Sequence, residues 1–102
     1  MKVMFYSMNG YSPAQSWLDG KDPKIRMIIW KYIERVSVGG AKKNTKSLGG
    51  GLFEIKIDKG PGYRVYFGQK ENVTLVLLCC GTKGTQKRDI SRATKYWRLY
   101  NA

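Results

Sequence analysis

The sequence predicts a single α+β domain, residues 1–102, in which a mainly antiparallel sheet packs against helices. Three observations predict it. Apolar residues between Ile25 and Val36 recur at helical spacing, those between Phe53 and Phe67 recur at a period of two, and Gly- or Pro-rich breaks separate the segments. A chain of 102 residues fits one domain. The expected order is β-α-α-β-β-β-α.

Lys2 to Tyr6 is short and rich in strand formers, which predicts a first strand. Ser12-Pro13 is a helix start with proline at the first helical position, and Gly20 closes that helix, with Trp17 and Leu18 inward. Asp22-Pro23 repeats the signal. Ile25, Ile28, Ile29, Tyr32, Ile33 and Val36 then share one helical face, opposite Lys24, Arg26, Lys31 and Arg35, until Gly39-Gly40. Residues 41–51 read as a basic, glycine-rich connector. Phe53, Ile55 and Ile57 alternate with Glu54, Lys56 and Asp58 as a half-buried strand, and Lys59-Gly60-Pro61-Gly62 turns it back into Tyr63 to Phe67. Val73 to Cys80 is nearly all apolar, as a central strand covered on both faces would be. Thr85 caps a closing helix in which Ile90, Ala93, Trp97 and Tyr100 share a side.

Composition narrows the function. The chain is 42% hydrophobic and 13% aromatic, which excludes the disordered class. No apolar run nears the ~20 residues of a membrane span, and the N-terminal residues lack a signal-peptide pattern, so a cytoplasmic protein without membrane contact is expected. Nineteen Lys+Arg against seven Asp+Glu leave +12, which calls for a polyanionic partner such as nucleic acid or an acidic protein. Cys79 and Cys80 are adjacent, so they point to opposite faces and read as buried apolar residues. Histidine is absent, which removes imidazole acid–base chemistry and histidine metal sites. No cofactor and no metal is expected.

Strand register yields a candidate site. Setting Ile57 against Tyr63 also sets Ile55 against Val65 and Phe53 against Phe67, all apolar. The same register sets Lys56 against Arg64 and Glu54 against Tyr66, on an exposed face. Like charges directly opposite cost a few tenths of a kcal/mol or more, which a phosphate clamp would explain. Blocking of edge-to-edge aggregation would explain it equally, and the overall charge with the basic turn at Lys83, Lys87 and Arg88 favours the clamp. Lys42, Lys43 and Lys46 of the connector, with Lys87 and Arg88, are the expected contacts to such a polyanion, and to RNA if it is a nucleic acid that is cleaved.

The stretches LGGGLFEIKIDKGPGYRVYFG (Leu48 to Gly68) and LVLLCCGTKGTQKRDISRATKYW (Leu75 to Trp97) resemble the RelE/ParE toxin superfamily. The likeness is greatest to its addiction-module killer, or HigB-like, branch. The glycine run, the GPGYRVYF return strand and the G-x-K-x-TQ-x-x-DI start of the last helix match in order, and SPAQSWLDGKDPKIRMIIWKYIERV resembles the family's helical hairpin. The resemblance implies the toxin of a type II toxin–antitoxin pair, with a helix-turn-helix antitoxin as partner and operator DNA reached only through it. It also implies a ribosome-dependent mRNA interferase, in which a ribose 2′-oxygen attacks the adjacent phosphate. Family catalytic positions fall on Lys56 and Arg64, and a basic residue after the last strand falls on Lys83.

Two departures bear on the chemistry. Glu54 stands where relatives place a lysine, and Arg88-Asp89-Ile90 stands where several place a tyrosine or histidine. Tyr66 as acid and Glu54 as base are the available substitutes. A non-catalytic, ParE-like toxin that blocks a target such as DNA gyrase by binding is the alternative.

Overall fold

Alternation along the strands sends apolar side chains to both faces of the sheet, and each face has its own helical cover. The computed structural model describes residues 1–102. In order, the elements are β1 (Lys2–Phe5), α1 (Pro13–Asp19), α2 (Pro23–Ser37), β2 (Thr45–Gly49), β3 (Leu52–Ile57), β4 (Tyr63–Lys70), β5 (Thr74–Thr82) and α3 (Gln86–Tyr100). Short 3₁₀ turns at Lys42–Asn44 and Lys83–Thr85 precede β2 and α3. The five strands lie in the order β1-β5-β4-β3-β2, with β1 parallel to β5 and the other pairs antiparallel. No helix is long and apolar enough to cross a membrane.

The helix starts follow their sequence signals. Ser12 Oγ accepts from the Gln15 amide at 3.3 Å and Asp22 Oδ1 from the Lys24 amide at 2.9 Å, each just before a proline. Ile29, Ile33 and Val36 of α2 bury against Ile55, Ile57, Val65, Phe67, Leu75 and Leu77. Phe53 packs at the edge of the same cluster, so the apolar set of the β3–β4 register faces the α1–α2 layer. On the other face Ala93, Tyr96 and Trp97 of α3 close over Leu52, Tyr66, Val76, Leu78 and Cys79. A bulge between Tyr66 and Phe67 shifts the β4–β5 register, and Leu78 and Cys79 both turn to the α3 side. Cys80 turns to the α1–α2 side, so the two cysteines do part.

One element differs from expectation. The connector at 41–51 contains β2, which pairs Lys46 with Glu54 and Ser47 with Phe53. An edge strand with mostly exposed side chains carries no apolar alternation, so periodicity does not reveal it. Gly49, Gly50 and Gly51, with φ of +93°, +62° and +83°, form the tight return into β3 that other residues would resist.

Trp97 fastens this return to the rest of the molecule. Its Nε1 donates to the Gly50 carbonyl at 2.7 Å while its ring lies flat on Gly68, where any Cβ would meet the indole. Gly68→Ala should therefore destabilise the protein by about 3 kcal/mol, the upper range for overpacking a core. Urea unfolding followed by circular dichroism measures it, and an unchanged midpoint would remove Trp97 as the anchor.

Candidate active site

Pairing across β2 to β5 arranges the polar strand residues in two rows on the α3 side of the sheet. Lys56, Arg64 and Gly81 form one row, and Lys46, Glu54, Tyr66 and Cys79 the next. Lys56 opposite Arg64 and Glu54 opposite Tyr66 are the pairings that the apolar pattern requires.

The face is not open, which corrects the sequence reading. Glu54 and Tyr66 are 0% exposed and Arg64 is 5% exposed. The cause is long-range: α3 docks across these strands, and Gln86 Nε2 donates to Glu54 Oε2 at 2.7 Å. Lys56 stays half-buried at the rim. Lys83 joins it there, because its amide donates to the Gly62 carbonyl at 2.7 Å. Gly62, at φ +79°, lets the β3–β4 turn pass close to both cations. A Cβ on it would lie 3.4 Å from Arg64 Nη1 and 3.3 Å from Lys83 Cβ.

Three buried side-chain nitrogen or oxygen atoms lack a hydrogen-bond partner: Glu54 Oε1, Arg64 Nε and Tyr66 Oη. All three belong to these two rows. An unmade buried hydrogen bond costs about 1–3 kcal/mol, so their concentration marks a place where something other than stability chose the residues. Arg64 Nη1 donates to the Tyr63 carbonyl at 3.1 Å, and no carboxylate lies within 4.0 Å of the guanidinium. A buried guanidinium with no counter-ion and an unused donor is suited to an external anion. Burial, and next the Glu54 carboxylate, push the Tyr66 hydroxyl far above 10.0, so it keeps its proton and has it to donate. No group of three or more His, Cys, Asp or Glu side chains is placed to hold a metal.

The expected RNA contacts divide. Lys46 is exposed on β2 in the Glu54 row, and Lys43 is exposed on the 3₁₀ turn before it. Lys42 lines a separate cleft of about 600 Å³ with Val36, Phe53 and Phe67, on the α1–α2 side, and does not converge with the rest. Lys87 and Arg88 line a groove of about 860 Å³ along the outer side of α3, together with Arg92, Lys95 and Arg98. Those last three escape the sequence reading. Their signal is the spacing of Arg88, Arg92, Lys95 and Arg98, a basic helical stripe opposite the apolar one.

The model of the family described as phage-derived protein Gp49-like matches residues 16–98. An uncharacterized protein of Haemophilus influenzae is 40% identical over 79 residues, which cover 76% of this chain and 79% of that one. The isolated RelE toxin of E. coli is similar in structure with a TM-score of 0.63 at 16% identity, over 89% of this chain and 96% of that chain. A chain of the intact E. coli RelBE toxin–antitoxin complex gives 0.62 at 17%, over 79% and 94%. One of the RelBE2 toxin–antitoxin complex from Mycobacterium tuberculosis gives 0.57 at 20%, over 80% and 96%. At these identities the likeness is one of fold.

The buried groups make a titration prediction. Burial pushes Cys79 up to about 12 and Cys80 and Tyr66 higher still, from ordinary values of 9.0 and 10.0. A group held neutral in the fold but free to ionise when unfolded supports the fold fully below its ordinary value and progressively less above it. Stability should therefore fall as pH rises from about 9 toward 12. Tyr66→Phe should soften that fall and, by removing an unpartnered hydroxyl, raise stability at neutral pH by about 1 kcal/mol. Thermal unfolding across pH measures both; a Tyr66→Phe protein that is less stable at neutral pH would mean the hydroxyl is satisfied after all.

Proposed function

The chain belongs to the Gp49-like family and has the RelE fold, and on that premise we propose that it is the toxin of a toxin–antitoxin pair and an endoribonuclease acting on ribosome-bound mRNA. The observation that carries the reading is the concentration of unpartnered polar atoms on Glu54, Arg64 and Tyr66, beside the cations Lys56 and Lys83.

In this reading Lys56, Arg64 and Lys83 grip the scissile phosphate. Side chains at the Lys56–Lys83 rim shift to admit RNA to the second row, while Gln86 stays on Glu54. Glu54 takes the proton of the ribose 2′-hydroxyl, and the 2′-oxygen forms a bond to phosphorus. The bond from phosphorus to the 5′-oxygen breaks, and Tyr66 supplies that oxygen with a proton. The products are a 2′,3′-cyclic phosphate and a 5′-hydroxyl. Fixed cations beside the phosphate supply most of the rate, because charge grows on its oxygens in the transition state. No apolar or aromatic residue lines the basic groove of α3, so it suits phosphate backbone better than stacked bases. It would seat the protein on structured RNA of the ribosome.

Mapping mRNA ends after incubation with ribosomes tests this directly. Wild-type protein should produce cuts ending in a cyclic phosphate. Arg64→Ala should lower the cleavage rate by a hundredfold or more, about 3 kcal/mol of transition-state stabilisation. Arg64→Lys should be impaired too, since lysine lacks the planar fork of donors. Lys42→Ala, on the far face, should match wild type. Intact mRNA in the wild-type reaction would end the nuclease reading and turn attention to inhibition of a target such as DNA gyrase by binding.

The partner follows from charge. An antitoxin segment rich in Asp and Glu should neutralise this surface, and the complex should weaken as salt rises. An affinity that is flat from low to molar salt, measured by titration calorimetry, would rule out the electrostatic contribution.

A further inference from the structure

The motif Thr85-Gln86-x-x-Asp89 opens α3, and none of its three side chains takes part in the proposed phosphate contacts or proton transfers. All three are nonetheless committed inward. Thr85 Oγ1 donates to Asp89 Oδ2, and Arg92 Nη1 donates to Asp89 Oδ1 at 3.0 Å. Asp89 is 1% exposed, and its carboxylate fills the space above Gly81, where a Cβ would collide with it. The Cys79 thiol donates to the Asp89 carbonyl at 3.6 Å. Thr85 therefore does not cap α3 in the ordinary way; it ties the turn to Asp89 while its hydroxyl also accepts from the Thr82 amide at 3.2 Å. The turn is thereby pinned to β5, and from this pinned turn Gln86 reaches Glu54 on β3 at 2.7 Å.

Charged or titratable groups surround Glu54 on the sheet. Lys46 is its partner on β2, Lys56 is on its own strand, Arg64 and Tyr66 lie on β4, and Cys79 lies beyond Tyr66 on β5, while α3 carries Asp89 and Arg92, paired with each other. Yet no cation comes within 4.0 Å of it, and its one hydrogen bond is from Gln86. The choice of an amide has chemical consequences. A lysine or arginine in this position would tie up the carboxylate as an ion pair and weaken it as a base. An amide orients the group and remains neutral at every pH.

We propose that Gln86 is a positioning residue for Glu54: it occupies Oε2, fixes the carboxylate and leaves the unpartnered Oε1 as the oxygen that accepts the substrate proton, with Thr85 and Asp89 holding the turn that carries it. The inference rests on Glu54 being the base of the proposed cleavage. Gln86→Leu keeps the bulk and loses the donor, while Gln86→Asn keeps the amide but is too short to reach. Each should lower single-turnover cleavage of ribosome-bound mRNA about tenfold or more, the size of one hydrogen bond to a charged group, with unchanged half-saturation by ribosomes. In a Glu54→Ala background neither substitution should lower the rate further, because Gln86 acts through Glu54.

Having two variants guards against one that folds poorly, which circular dichroism detects. Full activity in a folded Gln86→Leu or Gln86→Asn protein would overturn the inference, as would equal losses with and without Glu54. If wild-type protein cleaves nothing, the nuclease reading falls and this inference falls with it; if wild type cleaves and the Gln86 variants match it, the inference alone falls.

Discussion

The register between β3 and β4 is the constraint on which the rest depends. Side chains alternate, so a single pairing decides the content of both faces: Ile57 with Tyr63, Ile55 with Val65 and Phe53 with Phe67 on one, Lys56 with Arg64 and Glu54 with Tyr66 on the other. Slipping the strands by one residue would place Glu54 and Lys56 opposite core positions beneath α2. Burial of Ile55, Ile57 and Val65, each fully enclosed and worth about 1.5–3 kcal/mol, holds the register against that slip. The first hydrophobic core thus fixes the geometry of a polar site that it does not touch.

That site works against stability. A carboxylate oxygen, a guanidinium nitrogen and a phenol are all buried without partners, while Leu52, Val76, Leu78, Ala93 and Trp97 form an ordinary apolar contact between helix and sheet. The helix can afford the conflict because Trp97 secures one end through Gly68 and Gly50, and Asp89 secures the other through Gly81. The polar groups lie between these two anchors. Both anchors need a glycine beneath them, so the glycines of β4 and β5 are spacing elements rather than breaks in the strands.

How far the sequence could be read follows from the same physics. Helix caps at Ser12 and Asp22, the apolar face of α2 and the whole β3–β4 register are local patterns, and each was legible. The edge strand β2 was not, since its residues are mostly solvent-facing and its glycines resemble a loop. The burial of Glu54, Arg64 and Tyr66 was hidden for a different reason. Alternation tells which face a residue shares, but only the docking of a helix some thirty positions later tells whether that face is covered. The same limit hid the work of Thr85, Gln86 and Asp89, which read as a helix start. The stripe of Arg92, Lys95 and Arg98 is a different case, because its helical spacing is local and stands in the sequence itself.

The charge can now be located. Of nineteen Lys and Arg, Arg88 and Arg92 alone lie within 4.0 Å of a carboxylate, and both share Asp89. Intramolecular pairing is therefore not what this surface is for. Two sets among the unpaired cations stand in contrasting surroundings. Arg64 is enclosed, where a low effective dielectric strengthens any contact with an anion and desolvation makes the empty state costly. Lys87, Lys95 and Arg98 line an open groove, where contacts are weaker individually, screened by salt and tolerant of sequence. The two kinds of site suit two stages of one event. A wide electrostatic surface gathers a polyanion and sets its orientation, and a small buried cluster acts on one phosphate of it. Asp89 joins the two, with its carboxylate paired outward to Arg88 and Arg92 and its turn directed inward through Gln86 to Glu54.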